Sequence, residues 1–150
     1  MKTLADPKDA AEIRARILSL TSSDIPQWGI MTVEQMVCHV REAYIYALAD
    51  TPVELISLPY PPKVVKQFAL ALPTPWPRST RTIPELQLDA PGMACTTFNQ
   101  DRDTLLTAFD GVCALTNHTR SHPFFGSMEH ADWMRWGYLH ADHHLRQFNR

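Results

Sequence analysis

Proline is concentrated in the middle of this 150-residue chain and is scarce on either side. Nine of the twelve prolines lie within residues 51–92. Because proline is excluded from helix interiors and from central strands, this middle third is predicted to be an ordered crossover or loop. It has room for one short helix over residues 63–72, where Val64, Phe68 and Leu72 recur at i, i+4 and i+8. Longer elements are therefore expected only in the flanking segments.

The proline-rich middle also carries apolar side chains at intervals, namely Trp76, Ile83, Leu86 and Leu88. Proline-rich segments can serve as ligands for peptide-binding domains, but these apolar anchors favour a loop that packs over the rest of the protein. Loops of this length are uncommon unless they are functional or disordered. We therefore expect residues 73–91 to help form the entrance of a site, together with the loop at Trp28 and Gly29 ahead of the second long helix.

Four longer helices are predicted in the flanking segments, over residues 6–22, 32–49, 97–117 and 127–148. Asp6 followed by Pro7 is a favoured helix start, residues 32–35 have the form of a capping box, and Ser127 is the predicted cap of the last helix. The predicted fold is all-α, a four-helix bundle without a β-sheet, in a single domain of residues 1–150. The long Pro-rich crossover between the second and third helices allows those two to run parallel, and the other sequential neighbours should be antiparallel.

Charge and cysteine content narrow the class of protein. The formal net charge is −2 and no basic block is present, which disfavours nucleic acid as a partner. The N-terminus lacks the apolar run of a signal peptide, and no apolar stretch reaches the ~20 residues needed to span a membrane.

The three cysteines, Cys38, Cys95 and Cys113, are too few and too scattered for a disulfide framework, so we expect reduced cysteines in a cytoplasmic protein.

Three of the seven histidines fall within five residues near the C-terminus, at His140, His143 and His144. Helical residues four apart lie on the same face with Cβ atoms ~5–6 Å apart, a gap that a metal bonded to two imidazoles can bridge. Such pairs also occur on solvated helix ends. His143 is three residues from His140 and is an alternative ligand to His144. We prefer His144, because that choice places Trp133 and Phe148 toward the metal-binding side of the helix.

Three motifs together resemble a known family. Residues 28–39, which end at His39 in the second predicted helix, resemble the start of the second helix of DinB-like (DinB/YfiT) proteins. More narrowly they resemble an uncharacterised branch of that superfamily. The turn at residues 122–126 and the ending His-x-x-His-His-x-Arg-Gln resemble the same branch. The resemblance covers most of the chain and is weakest over residues 73–91. On its own, His39 would be typical of a hydrogen-bonded core histidine.

This resemblance implies a four-helix bundle that holds a divalent metal with three histidines. One ligand comes from the second helix and two come from the fourth. Carried onto this sequence, the ligands are His39, His140 and His144. The superfamily includes transferases and isomerases that use low-molecular-weight thiols, so the resemblance implies a small-molecule substrate. Members of the superfamily are often dimers, which raises the expectation of a homodimer here.

The chemistry of three histidine ligands agrees with a catalytic rather than a structural metal. Catalytic sites keep open positions for water, whereas structural zinc sites close all four positions, often with cysteine. Three imidazoles suit zinc, nickel, iron or copper, of which we favour zinc or nickel. Such a metal activates bound water or a thiolate. We therefore predict a thiol transferase or hydrolase with no evident catalytic base; the alternative is a non-catalytic metal-binding or interaction module.

Further residues are predicted around the metal. The candidates to orient the ligand imidazoles are Glu42, Asp142 and His143, and the candidates for the pocket wall are Trp28, Tyr46 and Trp133. Either carboxylate would also be typical of a solvated helix charge. We expect Trp28 to lie closer to the metal than Trp76, because Trp28 comes only four positions before the cap of the second helix.

Overall fold

The chain is mostly helical in the computed structural model, which describes residues 1–72, 75–78, 82–87, 90 and 93–150. These ranges contain five α-helices, a short 3-10 helix and one two-stranded sheet. In chain order the elements are α1 (Pro7–Leu18), α2 (Val33–Leu48), α3 (Pro62–Ala71), η1 (Pro84–Leu86), α4 (Phe98–Cys113), β1 (Arg120–His122), β2 (Gly126–Met128) and α5 (His130–Gln147). None of the helices in the described part has both the length and the apolar character to cross a membrane.

The predicted caps are present at the starts of α1 and α2. The side chain of Asp6 accepts a hydrogen bond from a backbone N–H of the first turn of α1. Thr32 and Gln35 form both hydrogen bonds of the capping box. α1 ends earlier than predicted because Asp24 accepts the backbone N–H of Thr21 at 3.0 Å, and this local hydrogen bond competes with helical pairing. α4 also ends four residues early, at Cys113 rather than residue 117.

A β-hairpin is present where only a turn was predicted. β1 and β2 pair antiparallel, and Gly126 at the start of β2 has a φ of +66°, which glycine adopts without strain. The prediction of an all-α chain without a β-sheet is therefore wrong in this segment, because three-residue strands are too short to show an alternating pattern. The hairpin also moves the start of the last helix. α5 begins at His130 with Glu129 as its cap, rather than after Ser127.

α2 and α4 run parallel, as predicted from the length of the crossover. Arg41 in the middle of α2 forms a buried ion pair with Asp101 in the first turn of α4. One turn further along α2, Tyr44 packs edge-on against Phe109, which also comes later in α4 than Asp101; the ring centroids are 5.9 Å apart. Because contacts advance in the same order along both helices, their directions agree.

α5 runs antiparallel to α2. His39 meets His140, whereas Tyr44, which comes later in α2, donates a hydrogen bond to the carbonyl of the earlier residue Gly137. α1 packs against both α4 and α5. The core between these four helices is filled by large buried side chains, which include Ile13, Ile17, Tyr44, Leu105, Phe109 and Trp133.

α3 and the crossover pack over one side of these helices. α3 forms where a short helix was predicted, but its periodic residues Val64, Phe68 and Leu72 are exposed. Of the four predicted anchors in the crossover, Ile83 and Leu86 are buried. Trp76 is partly buried and donates its indole N–H to the carbonyl of Ala69 at 2.8 Å. The fourth anchor, Leu88, lies outside the described residues, as do Pro73 and Pro91 at the limits of that stretch.

Two of the three cysteines form a disulfide. Cys38 in α2 is bonded to Cys95 just ahead of α4, with their Cα atoms 5.5 Å apart. The prediction of reduced cysteines is wrong for this pair, whose members are 57 residues apart and carry no local spacing signal. Cys113 is a free, partly buried thiol.

Candidate metal centre

Three histidine side chains meet between α2 and α5. His39 comes from the middle of α2, and His140 and His144 lie one turn apart on α5. Their candidate ligand nitrogens all lie within 4.8 Å of one another, and the Nε2 atoms of His39 and His140 are 3.3 Å apart. The ring centroids of the three imidazoles are 4.8 to 5.3 Å apart. These three buried histidines are close enough to hold a metal ion.

A backbone carbonyl from the crossover orients His39. Nδ1 of His39 lies 2.9 Å from the carbonyl oxygen of Leu86, in the 3-10 helix. A carbonyl oxygen only accepts, so Nδ1 carries the proton and Nε2 presents its lone pair toward the other imidazoles. Carbonyls commonly orient metal-binding histidines in this way. The crossover therefore fixes both the rotation and the tautomer of the α2 histidine.

A side-chain amide orients His144. Nδ1 of His144 lies 3.3 Å from Oε1 of Gln147, whose Nε2 donates to the carbonyl of Trp28 at 2.9 Å. Because the amide nitrogen is used by Trp28, the oxygen faces the imidazole and accepts from Nδ1, which leaves the Nε2 lone pair of His144 free. Gly29 makes this close approach possible: its φ is +82°, and a Cβ there would lie 2.5 Å from Nε2 of Gln147.

Burial favours the neutral form of the three imidazoles. His39, His140 and His144 are only 2%, 7% and 8% exposed. Removal from water lowers the pKa of each, and for the two α5 histidines the pKa falls well below its usual value. The repulsion between the clustered imidazoles adds to this effect. Neutral imidazole is the form that binds metals, so the donor set fits a divalent cation.

Nδ1 of His140 is buried and has no hydrogen-bond partner in the described part of the chain. The neighbouring aromatic groups are Trp136, whose ring centroid is 5.0 Å away, and Trp76 at 6.1 Å. His140 is therefore held by packing rather than by a hydrogen bond to Nδ1.

His143 lies beside the cluster rather than within it. Its ring is 5.1 Å from that of His144 and packs near the indoles of Trp28 and Trp76, each at 6.3 Å. Among the described residues, the group whose ligand atoms lie within 4.8 Å of one another contains His144 and not His143. The geometry therefore favours His144 over the alternative ligand.

The two predicted carboxylates form ion pairs with arginines instead of orienting an imidazole. Glu42 accepts from Nε of Arg41 at 2.9 Å. Asp142 accepts from Arg16 and Arg146, each at 2.8 Å. In the described part of the chain, the backbone of the crossover and a glutamine supply the groups that were expected from these acids. The glutamine lies three residues after His144, a spacing that the sequence displays.

In the described structure, two of the predicted wall residues contact Arg120 and not an imidazole of the cluster. The ring of Tyr46 packs under the guanidinium of Arg120, 4.8 Å from its carbon, and Trp133 donates its indole N–H to the carbonyl of the same arginine. Trp136 is the α5 indole in contact with His140. It comes four residues before that histidine, so helical spacing alone could have identified it.

The predicted order of the two loop tryptophans is wrong. Trp76 contacts the imidazole of His140, whereas the ring contact of Trp28 in the described structure is with His143. Trp28 instead serves the site through its backbone carbonyl, which holds the glutamine that orients His144. Of these two loops, the crossover therefore supplies the indole that contacts the cluster, in addition to Trp136 of α5.

Comparison with known proteins matches this chain to a protein family. A family model described as "Protein of unknown function (DUF1569)" matches residues 60–150. The matched range includes His140 and His144 on α5, and it begins after His39. No curated protein and no solved structure matches the chain.

Proposed function

We propose that this chain, which belongs to the DUF1569 family of proteins of unknown function, is a metalloprotein with His39, His140 and His144 as metal ligands. The observation that carries the proposal is the convergence of three buried imidazoles whose ligand nitrogens lie within 4.8 Å of one another. Two of them are turned by hydrogen bonds at Nδ1 so that the Nε2 lone pairs are available. Convergent lone pairs of this kind attract a cation.

The proposed metal is zinc or nickel. Iron and copper are also compatible with three histidine ligands. Imidazole nitrogen is a ligand for all four metals.

The fold that we propose is the DinB-like four-helix bundle. It is supported by the parallel pair α2 and α4, by the long crossover between them, and by ligands that come from α2 and α5.

We further propose that the centre is catalytic, in a thiol transferase or hydrolase acting on a small molecule. A metal with three protein ligands supplies activated water, with a pKa lowered to ~7, or a stabilised thiolate. The chain's own residues orient and shield the site. Leu86 and Gln147 hold two of the imidazoles in a fixed rotation, while Trp76 and Trp136 pack against His140.

One observation favours a second candidate, a non-catalytic metal-binding module. The three imidazoles are at most 8% exposed, and in the described ranges no carboxylate is hydrogen-bonded to any of them. A closed centre without a base would store or sense a metal rather than transform a substrate. Access of small molecules to the metal separates the two candidates.

The first test is the metal content of protein purified without an affinity tag. Wild type should hold about one equivalent per chain, and His39→Ala and His140→Ala should each lose most of it. His143→Ala is the matched control, because His143 lies on the same helix and has the same 8% exposure as His144. Equal metal content in all four proteins would contradict the proposal.

The second test uses cobalt in place of the native metal. Tetrahedral or five-coordinate Co²⁺ has visible absorption bands that change when an exogenous ligand binds. A thiolate-to-cobalt charge-transfer band on addition of a small thiol would support the catalytic reading. A spectrum that no thiol and no small anion alters would favour the closed, non-catalytic module.

A further inference from the structure

A guanidinium is connected to the histidine cluster by a series of ring contacts. The Arg78 guanidinium carbon lies 4.5 Å from the centre of the Trp28 ring. That ring is 6.3 Å from His143, which is 5.1 Å from His144. Arg78 also follows Trp76, the crossover indole that contacts the cluster, by two residues. These contacts place Arg78 on the side of the cluster where His143 and Trp28 lie, three ring contacts away from His144.

The guanidinium of Arg78 lies over the ring of Trp28. A guanidinium that packs its face on an aromatic ring keeps its N–H groups in the plane, where they can bind a carboxylate in bidentate fashion. Arg78 is exposed, and within the described ranges it forms no ion pair. The stacking on Trp28 also reduces the conformational freedom that the side chain would lose when it bound a ligand.

A second polar group on the same side has one nitrogen without a partner in the described part of the chain. His143 is 8% exposed, and its Nδ1 is buried without a hydrogen bond to any described residue. Buried polar atoms in native proteins are normally satisfied, so such an atom calls for a ligand or a water molecule. Arg78 and His143 both contact Trp28, one over the ring and the other at its edge.

The carboxylate of Asp142 does not neutralise the charge of Arg78. Asp142 precedes His143 in α5 and is engaged by both Arg16 and Arg146. Arg146 in turn is balanced by this same carboxylate. Among the residues that the structure describes, no carboxylate forms an ion pair with Arg78, so its charge can attract an anion from solvent.

We infer that the centre takes small molecules that carry a carboxylate, which Arg78 binds while the reactive end of the molecule reaches the metal. His143 contributes a second hydrogen bond to the same molecule. This inference rests on the proposed function, because it assumes a metal at the three histidines. It adds a substrate class, small organic acids, and a residue that selects for them.

The test compares two thiols that differ in charge, 3-mercaptopropionate and 2-mercaptoethanol, by titration of the cobalt-loaded protein. The charge-transfer band reports binding directly, without any turnover. In wild type the acid should bind about tenfold more tightly than the neutral thiol, the gain expected of one partly exposed charge-assisted hydrogen-bond pair. Arg78→Gln should remove this preference and leave the affinity for 2-mercaptoethanol unchanged. Arg78→Lys should retain part of it.

Arg14→Gln is the matched control, because Arg14 is an exposed arginine whose ion-pair partner, Asp110, lies on α4. It should behave as wild type. If wild type binds both thiols equally, or if Arg78→Gln keeps the preference for the acid, the inference is overturned and the proposed function stands. If the protein binds no cobalt at the three histidines, the proposed function fails and the inference fails with it.

Discussion

The disulfide offers a prediction whose magnitude follows from its place in the chain. Cys38 and Cys95 are 57 residues apart, so the bond closes a long loop. In the chain-entropy model, closing a loop of this length removes unfolded-state entropy worth about 4 kcal/mol at 25 °C. Reduction of the bond, or the double variant Cys38→Ala and Cys95→Ala, should therefore lower the free energy of unfolding by about 4 kcal/mol.

The same loop contains groups that shape the proposed centre. Leu86, whose carbonyl orients His39, and Trp76 both lie between the two cysteines, and Cys38 is the residue before His39. Without the disulfide, the crossover is held on α2 only by noncovalent contacts. We therefore expect metal affinity to fall together with stability when the bond is reduced.

Urea unfolding of the metal-free protein, with and without a reductant, measures the effect on stability. A loss of about 4 kcal/mol in a chain of this size corresponds to a fall in melting temperature of roughly 8–16 °C. Cys113→Ala is the control, because it removes the free thiol and should leave the effect of the reductant unchanged. Alkylation followed by mass spectrometry verifies reduction. A change below about 1 kcal/mol in fully reduced protein would refute the reasoning.

Three other predictions follow from single residues. Gln147→Ala should weaken metal binding about 10–100-fold in a chelator competition, because His144 loses its orienting amide; unchanged affinity would contradict this role. Gly29→Ala should lower stability to urea by about 1–3 kcal/mol through its positive φ and its contact with the same glutamine; a neutral effect would count against it. Burial raises the pKa of the Cys113 thiol to about 11. Its alkylation should therefore be slow at pH 8 and rise about tenfold per pH unit up to that value; a rate that levels off near pH 9 would contradict it.

The sequence predicts the helices well because their signals are local. Caps at Asp6 and Thr32 and a 3.6-residue apolar period act within a few residues, and both are present in the structure. The hairpin before α5 escapes prediction because three-residue strands show no pattern. The disulfide escapes because no local rule connects positions 38 and 95.

The sequence likewise predicts some parts of the candidate centre and not others. His140 and His144 are connected by helical spacing, but no spacing rule connects them to His39, which was identified through the family resemblance. The groups that orient the imidazoles are a backbone carbonyl at Leu86 and an amide at Gln147. A carbonyl has no sequence signature, since every residue has one. The glutamine could have been found, because it lies one turn after His144.

Anomalous scattering from crystals can show directly whether His39, His140 and His144 bind a metal. Crystals would be grown from untagged protein with no added metal, and data would be collected on both sides of the zinc and nickel absorption edges. We predict one strong peak that lies within bonding distance of His39, His140 and His144 and that identifies its metal by the edge at which it disappears. A map without a peak at this position, or with a peak bound by His143 and not by His39, would contradict it.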